Sequence, residues 1–155
     1  MSVDEQILIS LEPRHAENIL EGRKRVELRR RMMNVAIGST VWFYAKRPVG
    51  SIIGRSIIKA VHAFAPSTLW HRFGAVSGVS RSEFFEYFAD RDKGIALELV
   101  DCQRLAPVFD LKALRLIDHA FQPPQFFMRL RHDSPLGNAM LGVLGTSGIQ
   151  SASCT

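Results

Sequence analysis

The sequence predicts one α+β domain whose mixed or antiparallel sheet of five to six strands curls into a small barrel. Helix-like and strand-like segments follow one another without the regular alternation that a doubly wound parallel fold requires. The chain has 155 residues, 46% of them hydrophobic, which is enough for a compact domain with its own core. We expect the folded domain at residues 1–133 and a loosely ordered tail, rich in Gly and Ser, at residues 134–155.

The first three predicted elements are a strand, a helix and a second strand. Gln6 to Leu11 is a short apolar run that fits a buried strand. The helix Pro13 to Glu21 follows, because proline suits the first helical turn and Gly22 suits the C-terminal cap. Arg25 to Arg30 then alternates apolar and charged residues, which is typical of a strand.

Two further strands follow a short loop. Thr40 to Ala45 is rich in β-branched and aromatic residues, which favour strands. Ser51 to Phe64 predicts one long strand or a bent pair of strands. Gly54 within it marks a bulge or a close backbone approach.

The second half of the chain predicts helices around one long strand. Pro66 to Gly74 is a helical turn, and Ser80 with Glu83 forms the capping-box pattern that starts another helix. Gly94 to Leu105 alternates as a strand, and Asp110 to Ile117 carries leucines at helical spacing.

The charge of the chain favours an anionic partner. The formal net charge is +5, and fifteen of the twenty basic residues are arginine. The planar guanidinium group of arginine donates two parallel hydrogen bonds, which suits phosphate oxygens. The N-terminus lacks the pattern of a signal peptide, and no apolar run approaches the length of a membrane span. We therefore expect a cytoplasmic protein without a membrane partner.

The usual catalytic and metal-binding templates are absent from the sequence. It contains no nucleophile elbow, phosphate loop, dinucleotide fingerprint or zinc-protease motif. The two cysteines form neither a disulfide framework nor a metal site. The sequence predicts no metal site and no cofactor, because no pair among its five histidines has ligand spacing: His15, His62, His71, His119 and His132.

The basic segment from Glu21 to Arg31 is the most informative part of the chain. Its alternation places Val26 and Leu28 on one face of a strand, and Glu27 with its arginine neighbours on the other. That charged face either lies in water or lines a site.

The pattern Gly22-x-Lys24-x-x-Glu27-x-Arg29, after a strand and a helix, resembles the G-x-K-x-x-E-x-R signature of ASCH domains, which are PUA-like proteins. The resemblance continues in later segments, at residues 44–48, 80–88, 91–94 and 123–126. It implies a small PUA-like β-barrel with helices packed across its opening, and a cleft into which the signature residues point. The family is thought to act on RNA or modified nucleosides, and some members are described as regulators of transcription.

The resemblance supports two interpretations, and the first is binding of RNA, another single-stranded nucleic acid or a nucleotide-like small molecule. Basic side chains would contact phosphates, and the ring of Tyr44 or Trp70 would stack on an unpaired base. Glu27 would bind a base amine, hold Arg29, or merely neutralise its neighbours on the strand. The expected binding residues, with Arg30 and Arg31 at the rim, are Lys24, Glu27, Arg29, Arg30, Arg31, Tyr44 and Lys46.

The second interpretation is a hydrolase that works in the same cleft without a metal ion, with Lys24 and Glu27 as catalytic residues and Tyr44 and Glu83 as weaker candidates. A desolvated lysine is a base or nucleophile because burial lowers its pKa. Family members that hydrolyse acylated nucleosides pair this lysine with a threonine, where this chain has Glu27, whose charge would keep Lys24 protonated. This departure disfavours amidohydrolase activity. Ribonuclease activity, with Lys24 and Arg29 facing a developing phosphorane, remains open.

Overall fold

The computed structural model describes residues 5–146, and the elements within them form a six-stranded sheet with five α-helices around it. A single turn of 3₁₀-helix at Gly74–Val76 follows the second helix. In chain order the elements are β1 Gln6–Leu11, α1 Pro13–Leu20, β2 Val26–Arg29, β3 Thr40–Ala45, β4 Ser51–Phe64, α2 Pro66–Phe73, α3 Arg81–Tyr87, β5 Gly94–Asp110, α4 Leu111–Ile117, β6 Phe127–Arg129 and α5 Pro135–Thr146.

The sheet has the order β2-β5-β4-β3-β1-β6. Only the β1–β3 pair is parallel among the described strands, and all other neighbours are antiparallel. The prediction of an α+β domain with a mixed sheet of five to six strands is confirmed. The sheet curls into a half-barrel whose two edge strands are β2 and β6.

Helix α1 and strand β5 both approach the backbone closely at Gly54. The pairing of β4 with both β3 and β5 shifts register beside this residue, so β4 is one long, bulged strand. A Cβ atom at Gly54 would lie 2.5 Å from Cδ2 of Leu20 and 2.8 Å from the carbonyl oxygen of Gln103. The sequence predicts a bulge or a close backbone approach at Gly54, and the structure has both, which lets α1 pack on the sheet.

Strands β1 and β3 are buried on both faces, because their side chains alternate between two core clusters. In β3, Val41 and Phe43 belong to the cluster that packs against α1, whereas Trp42 and Tyr44 belong to the cluster beneath α4 and α5. A third cluster holds the apolar residues of β2 against α2 and α3. This double burial explains why β3 reads as a continuous apolar run.

The segment that the sequence assigns to a loose tail begins with a packed helix, so the prediction is corrected for residues 135–146. Leu136 and Met140 of α5 are buried in the second core cluster. Buried Gln6 accepts a hydrogen bond from Nε1 of Trp42 at 2.8 Å and donates Nε2 to the carbonyl oxygen of Gly137 at 3.2 Å. The sequence pattern does not predict this helix because the helix contains three glycines and has no clear polar face. Residues 147–155 of the predicted tail lie outside the described residues.

One strand extends well beyond its expected bounds. Strand β5 continues past Leu105 to Asp110, whose carboxylate caps α4 by accepting a hydrogen bond from the backbone N–H of Ala113 at 2.8 Å. Over residues 5–146, no helix is both long enough and apolar enough to cross a membrane.

We expect Gly54→Ala to lower the free energy of unfolding by about 1–3 kcal/mol, because the added methyl group would overlap Leu20 and a backbone oxygen. Urea denaturation measures this change. Gly142→Ala in α5 is the matched control, since a Cβ atom there meets nothing within 4 Å; it should gain up to about 1 kcal/mol of helix stability. Equal stability of the two variants would contradict the close approach.

Candidate functional site

A cleft of about 470 Å³ lies beside the sheet, between the start of α1, strand β2, the loop before α3, and α3 itself. Gln125 and Phe126 form part of its wall. Its ionisable lining residues are Glu12, Arg14, His15, Lys24, Glu27, Arg29, Lys46, Glu83, Glu86 and Tyr87. The cleft therefore brings Lys24, Glu27 and Arg29 together, with Lys46 and Glu83 also at its surface.

Lys24 is buried at the base of the cleft and is only 2% exposed. Its Nζ donates a hydrogen bond of 2.5 Å to the carbonyl oxygen of Ser77 and lies 3.9 Å from Oε1 of Glu27. The loop closes over the lysine stem at Gly78, where φ is +75° and a Cβ atom would lie 3.1 Å from Cβ of Lys24. Lys24 thus supports the cleft from below and does not present its ammonium group at the surface.

Burial lowers the pKa of Lys24 from its ordinary value of 10.5, and the charges of Arg14 and Arg29 act in the same direction. The Glu27 carboxylate opposes this shift. The Glu27 carboxylate therefore favours the protonated form of Lys24, as the sequence predicts, but desolvation has the larger effect on the pKa of Lys24. The site holds a lysine that gives up its proton more readily than an exposed one.

Glu27 joins Lys24 to Arg29 and is itself buried. Nη2 of Arg29 lies 3.1 Å from Oε2 of Glu27. The Nε atom of Arg29 is also buried, and it has no hydrogen-bond partner among the described residues. Strand alternation produces this arrangement, since Val26 and Leu28 enter the third core cluster while Glu27 and Arg29 line the cleft.

His15 is a cleft residue that sequence reasoning missed. Burial lowers its pKa below the ordinary 6.5, and the positive charge of Lys24 adds to this effect. Its Nε2 lies 3.6 Å from Oε1 of Glu12, and its buried Nδ1 has no hydrogen-bond partner among residues 5–146. No second histidine lies at metal-ligand spacing from His15 in the sequence, so the pattern of histidines does not single it out. The available signal is its place in the first turn of the helix that leads into the signature.

Arg14 and Glu83 bridge the cleft between α1 and α3. Nη2 of Arg14 lies 2.6 Å from Oε2 of Glu83. Glu83 also completes the predicted capping box, in which its backbone N–H donates to Oγ of Ser80 at 3.2 Å and its carboxylate accepts from the Ser80 N–H at 3.1 Å. The hydrogen bond from Arg14 is the largest cause that lowers the pKa of Glu83, to about 2. An ionised Glu83 does not supply protons near neutral pH.

The remaining predicted residues lie apart from Lys24. Tyr44 is 4% exposed within the second core cluster, with its ring 6.4 Å from that of Phe121, and it does not line the cleft. Trp70 packs edge-on against Phe84, with ring centroids 5.1 Å apart. The burial of Tyr44 and the packing of partly buried Trp70 in the third core cluster support packing roles and give no support to base stacking.

Arg30 and Arg31 line a second cavity, of about 600 Å³, which adjoins the cleft. Arg30 forms an ion pair with Asp90. Arg29, Tyr87 and Phe126 line both the cleft and the second cavity. In the part of the chain that the structure describes, no group of three or more His, Cys, Asp or Glu side chains is placed to hold a metal ion.

Comparison with known proteins shows the family and supports the fold. The family model of the ASCH domain matches residues 9–109. A relative from Zymomonas mobilis, named an ASCH domain-containing ribonuclease, is 38% identical over 128 residues, which cover 83% of this chain and 86% of the relative. The crystal structure of ASCH from Zymomonas mobilis superposes with a TM-score of 0.82 at 35% identity, covering 89% of this chain and 96% of that one. A serine-to-alanine variant of that protein gives the same TM-score at 34% identity, covering 93% and 99%.

The curled half-barrel with its lateral cleft defines an α+β protein of the PUA-like type. The chain belongs to the ASCH domain family. In its signature residues, the carboxylate of Glu27 lies between the cationic groups of Lys24 and Arg29 beside the cleft, and Lys24 and Glu27 are buried.

We expect Lys24→Met to change the free energy of unfolding at pH 7 by less than about 1 kcal/mol, because it removes the cost of burying a charge and leaves Glu27 paired with Arg29. Glu27→Met, by contrast, should cost about 3–5 kcal/mol, since it leaves two buried cations without their carboxylate. Chemical denaturation of both variants measures the difference.

The pH dependence provides a second readout of Lys24. Because its pKa is lower in the folded state, the unfolded chain binds more protons between that lowered pKa and 10.5, so wild-type stability should gain from this group as pH rises through that window. Lys24→Met should lack this gain. A strongly destabilised Lys24→Met variant with an unchanged pH profile would contradict the placement.

Proposed function

We propose that this chain is a ribonuclease that binds single-stranded RNA in the cleft and cleaves it there. One observation carries the proposal: two residues that line the same cleft, Arg29 and His15, each have a buried side-chain nitrogen atom, Nε and Nδ1, without a hydrogen-bond partner among the described residues. One is a donor on a cation, and the other is an acceptor when the imidazole is neutral. A phosphate oxygen and the neighbouring ribose 2′-hydroxyl of RNA would satisfy this pair.

Arg29 is suited to a phosphate because Glu27 already fixes its guanidinium plane. Oε2 of Glu27 lies 3.1 Å from Nη2 of Arg29, and Nε of Arg29 has no partner among the described residues and remains for a ligand. A charge-assisted hydrogen bond in a buried setting is stronger than one in water. Lys24 acts behind this pair as a positioning residue, because its own ammonium is not exposed to a ligand.

His15 is suited to accept a proton because its lowered pKa keeps it neutral at pH 7. The Glu12 carboxylate near Nε2 favours the tautomer that carries the proton there, which leaves Nδ1 as an acceptor. A base positioned in this way contributes about 10²–10⁴-fold to the rate of a proton-transfer step.

The reaction would proceed by internal transesterification. Nδ1 of His15 takes the proton of the 2′-hydroxyl, the 2′-oxygen bonds to the adjacent phosphorus, and the bond from phosphorus to the 5′-oxygen breaks. The 5′-oxygen takes a proton from water, and the proton on His15 returns to the solvent. Arg29 opposes the charge that develops on the non-bridging oxygens. The products are a 2′,3′-cyclic phosphate and a 5′-hydroxyl end.

The name of the 38% identical relative from Zymomonas mobilis supports this choice over simple binding. For the amidohydrolase alternative, acylated cytidine serves as a second substrate in the same assays, and its hydrolysis with RNA left intact would contradict the proposal.

We expect Arg29→Met to weaken binding of a labelled single-stranded RNA by tenfold or more. The RNA carries 2′-O-methyl groups throughout, so that binding is measured without cleavage. Because one phosphate contact is lost, the slope of log affinity against log salt should fall by about 0.7. Arg23→Met is the matched control, since Arg23 is exposed on the same segment and does not line the cleft. Wild-type affinity in Arg29→Met would contradict phosphate binding by this residue.

We expect His15→Asn to reduce the cleavage rate by about 10²-fold or more, while the affinity for 2′-O-methyl RNA changes by less than about threefold. In the wild type, kcat/KM should fall as pH drops through the lowered pKa of His15, below 6.5, because the protonated imidazole accepts no proton. His71→Asn, at an exposed position outside the cleft, should keep this acidic limb. Full activity of His15→Asn, or products that lack a cyclic phosphate, would exclude this role.

A further inference from the structure

We propose that the second cavity is a subsite for the nucleotide next to the cleaved phosphate, so that the substrate is an RNA oligomer and not a mononucleotide or nucleoside. The inference rests on the proposed function, in that it names the class of RNA which the cleft would process. Three features of the second cavity support the inference: its positive charge, its unpartnered hydrogen-bond donors and its exposed aromatic ring.

The charge of the second cavity differs from that of the cleft. In the cleft, four cationic side chains of Arg and Lys face four carboxylates of Glu. The second cavity has no carboxylate among its lining residues, and its charged lining residues are Arg29, Arg30, Arg31 and Arg91. The net positive potential that attracts a phosphate backbone therefore lies in the second cavity, whereas the cleft is nearly balanced.

Arg30 supplies an unpartnered donor. Its Nη2 pairs with Asp90, but its Nε is buried and has no hydrogen-bond partner among the described residues. Arg29 at the junction of the two cavities has the same feature. Two neighbouring guanidinium groups thus each keep one directional donor, an arrangement that suits successive phosphates of one strand.

Phe126 supplies a ring for a base. It lines both cavities and is 64% exposed, which is unusual for a large apolar side chain. The backbone around it is fixed to β1, because Ser10 donates Oγ to the carbonyl oxygen of Pro124 at 2.6 Å and its N–H to that of Phe126 at 3.4 Å. An exposed ring on a fixed backbone is what a splayed, single-stranded base stacks on.

The two cavities form one continuous binding strip. They share Arg29, Tyr87 and Phe126, and their volumes are about 470 and 600 Å³. Each volume alone falls within the range of roughly 300–1,000 Å³ that holds one small ligand. Arg29 would hold the cleaved phosphate, Phe126 would stack the next base, and the arginines of the second cavity would contact the phosphate beyond it.

The test is the dependence of cleavage on substrate length. Each substrate is an RNA oligomer with one cleavable 2′-hydroxyl and 2′-O-methyl groups at all other positions. The oligomers are two, three, four and six nucleotides long, and separate sets are extended on the 5′ side and on the 3′ side of the cleavage site. In the wild type we expect kcat/KM to rise tenfold or more between the dinucleotide and the longer substrates extended on one side. In Phe126→Ala and in Arg91→Met this gain should fall to threefold or less.

Leu116→Ala is the matched control for loss of an exposed apolar side chain, since Leu116 is 81% exposed on α4 and lines neither cavity. It should keep the full length dependence. Thermal melting checks that all three variants fold as the wild type does.

Cleavage by the wild type without any dependence on length would overturn the subsite and leave the proposed function intact. A length gain that survives in both Phe126→Ala and Arg91→Met would overturn it as well. If the wild type cleaves no RNA, the proposed function fails. Affinities of fully 2′-O-methylated oligomers then decide on the subsite alone: a length gain lost in Phe126→Ala supports it, and equal affinities at all lengths overturn it.

Discussion

The burial of one ammonium group shapes the functional end of this molecule. Lys24 is bound from one side by the carbonyl oxygen of Ser77 and from the other by Glu27, so the loop before α3 and the strand β2 are held to the same point. The backbone N–H of Arg25 also donates to the carbonyl oxygen of Val76 at 2.8 Å. Because the charge is desolvated, each of these contacts must be made, and together they fix the base of the cleft.

The same burial explains how the site keeps unsatisfied donors and acceptors. Glu27 is shared between Lys24 and Arg29, so neither cation is fully neutralised by its own carboxylate. Arg29 therefore keeps a buried Nε without a partner, and the charge of Lys24 helps to lower the pKa of His15. A protein selected for stability alone would replace such a cluster with apolar side chains. Its presence beside a cleft is better explained by a ligand that completes it.

Strong local patterns made much of this arrangement predictable. The alternation of apolar and charged residues in β2 predicted which side chains pack in the core and which face away from it. Gly54 predicted a close backbone approach, and the contacts at this position confirm it. His15, Tyr44 and α5 illustrate what local patterns miss. A lone histidine acquires meaning only from the charges that the fold brings to it, and a strand buried on both faces gives no sign of which aromatic side chain reaches a site. The apolar helix α5 is specified by its contact with buried Gln6 and the core and has little amphipathic signal of its own.

A crystal structure of the protein with a 2′-O-methyl RNA trinucleotide, which binds without being cleaved, would test the proposed site. We expect a phosphate oxygen within hydrogen-bond distance of Nε of Arg29, with the adjacent ribose 2′-oxygen facing Nδ1 of His15 and one base against Phe126. A trinucleotide bound elsewhere on the surface, with Arg29 and His15 making no contact to it, would contradict binding in this cleft.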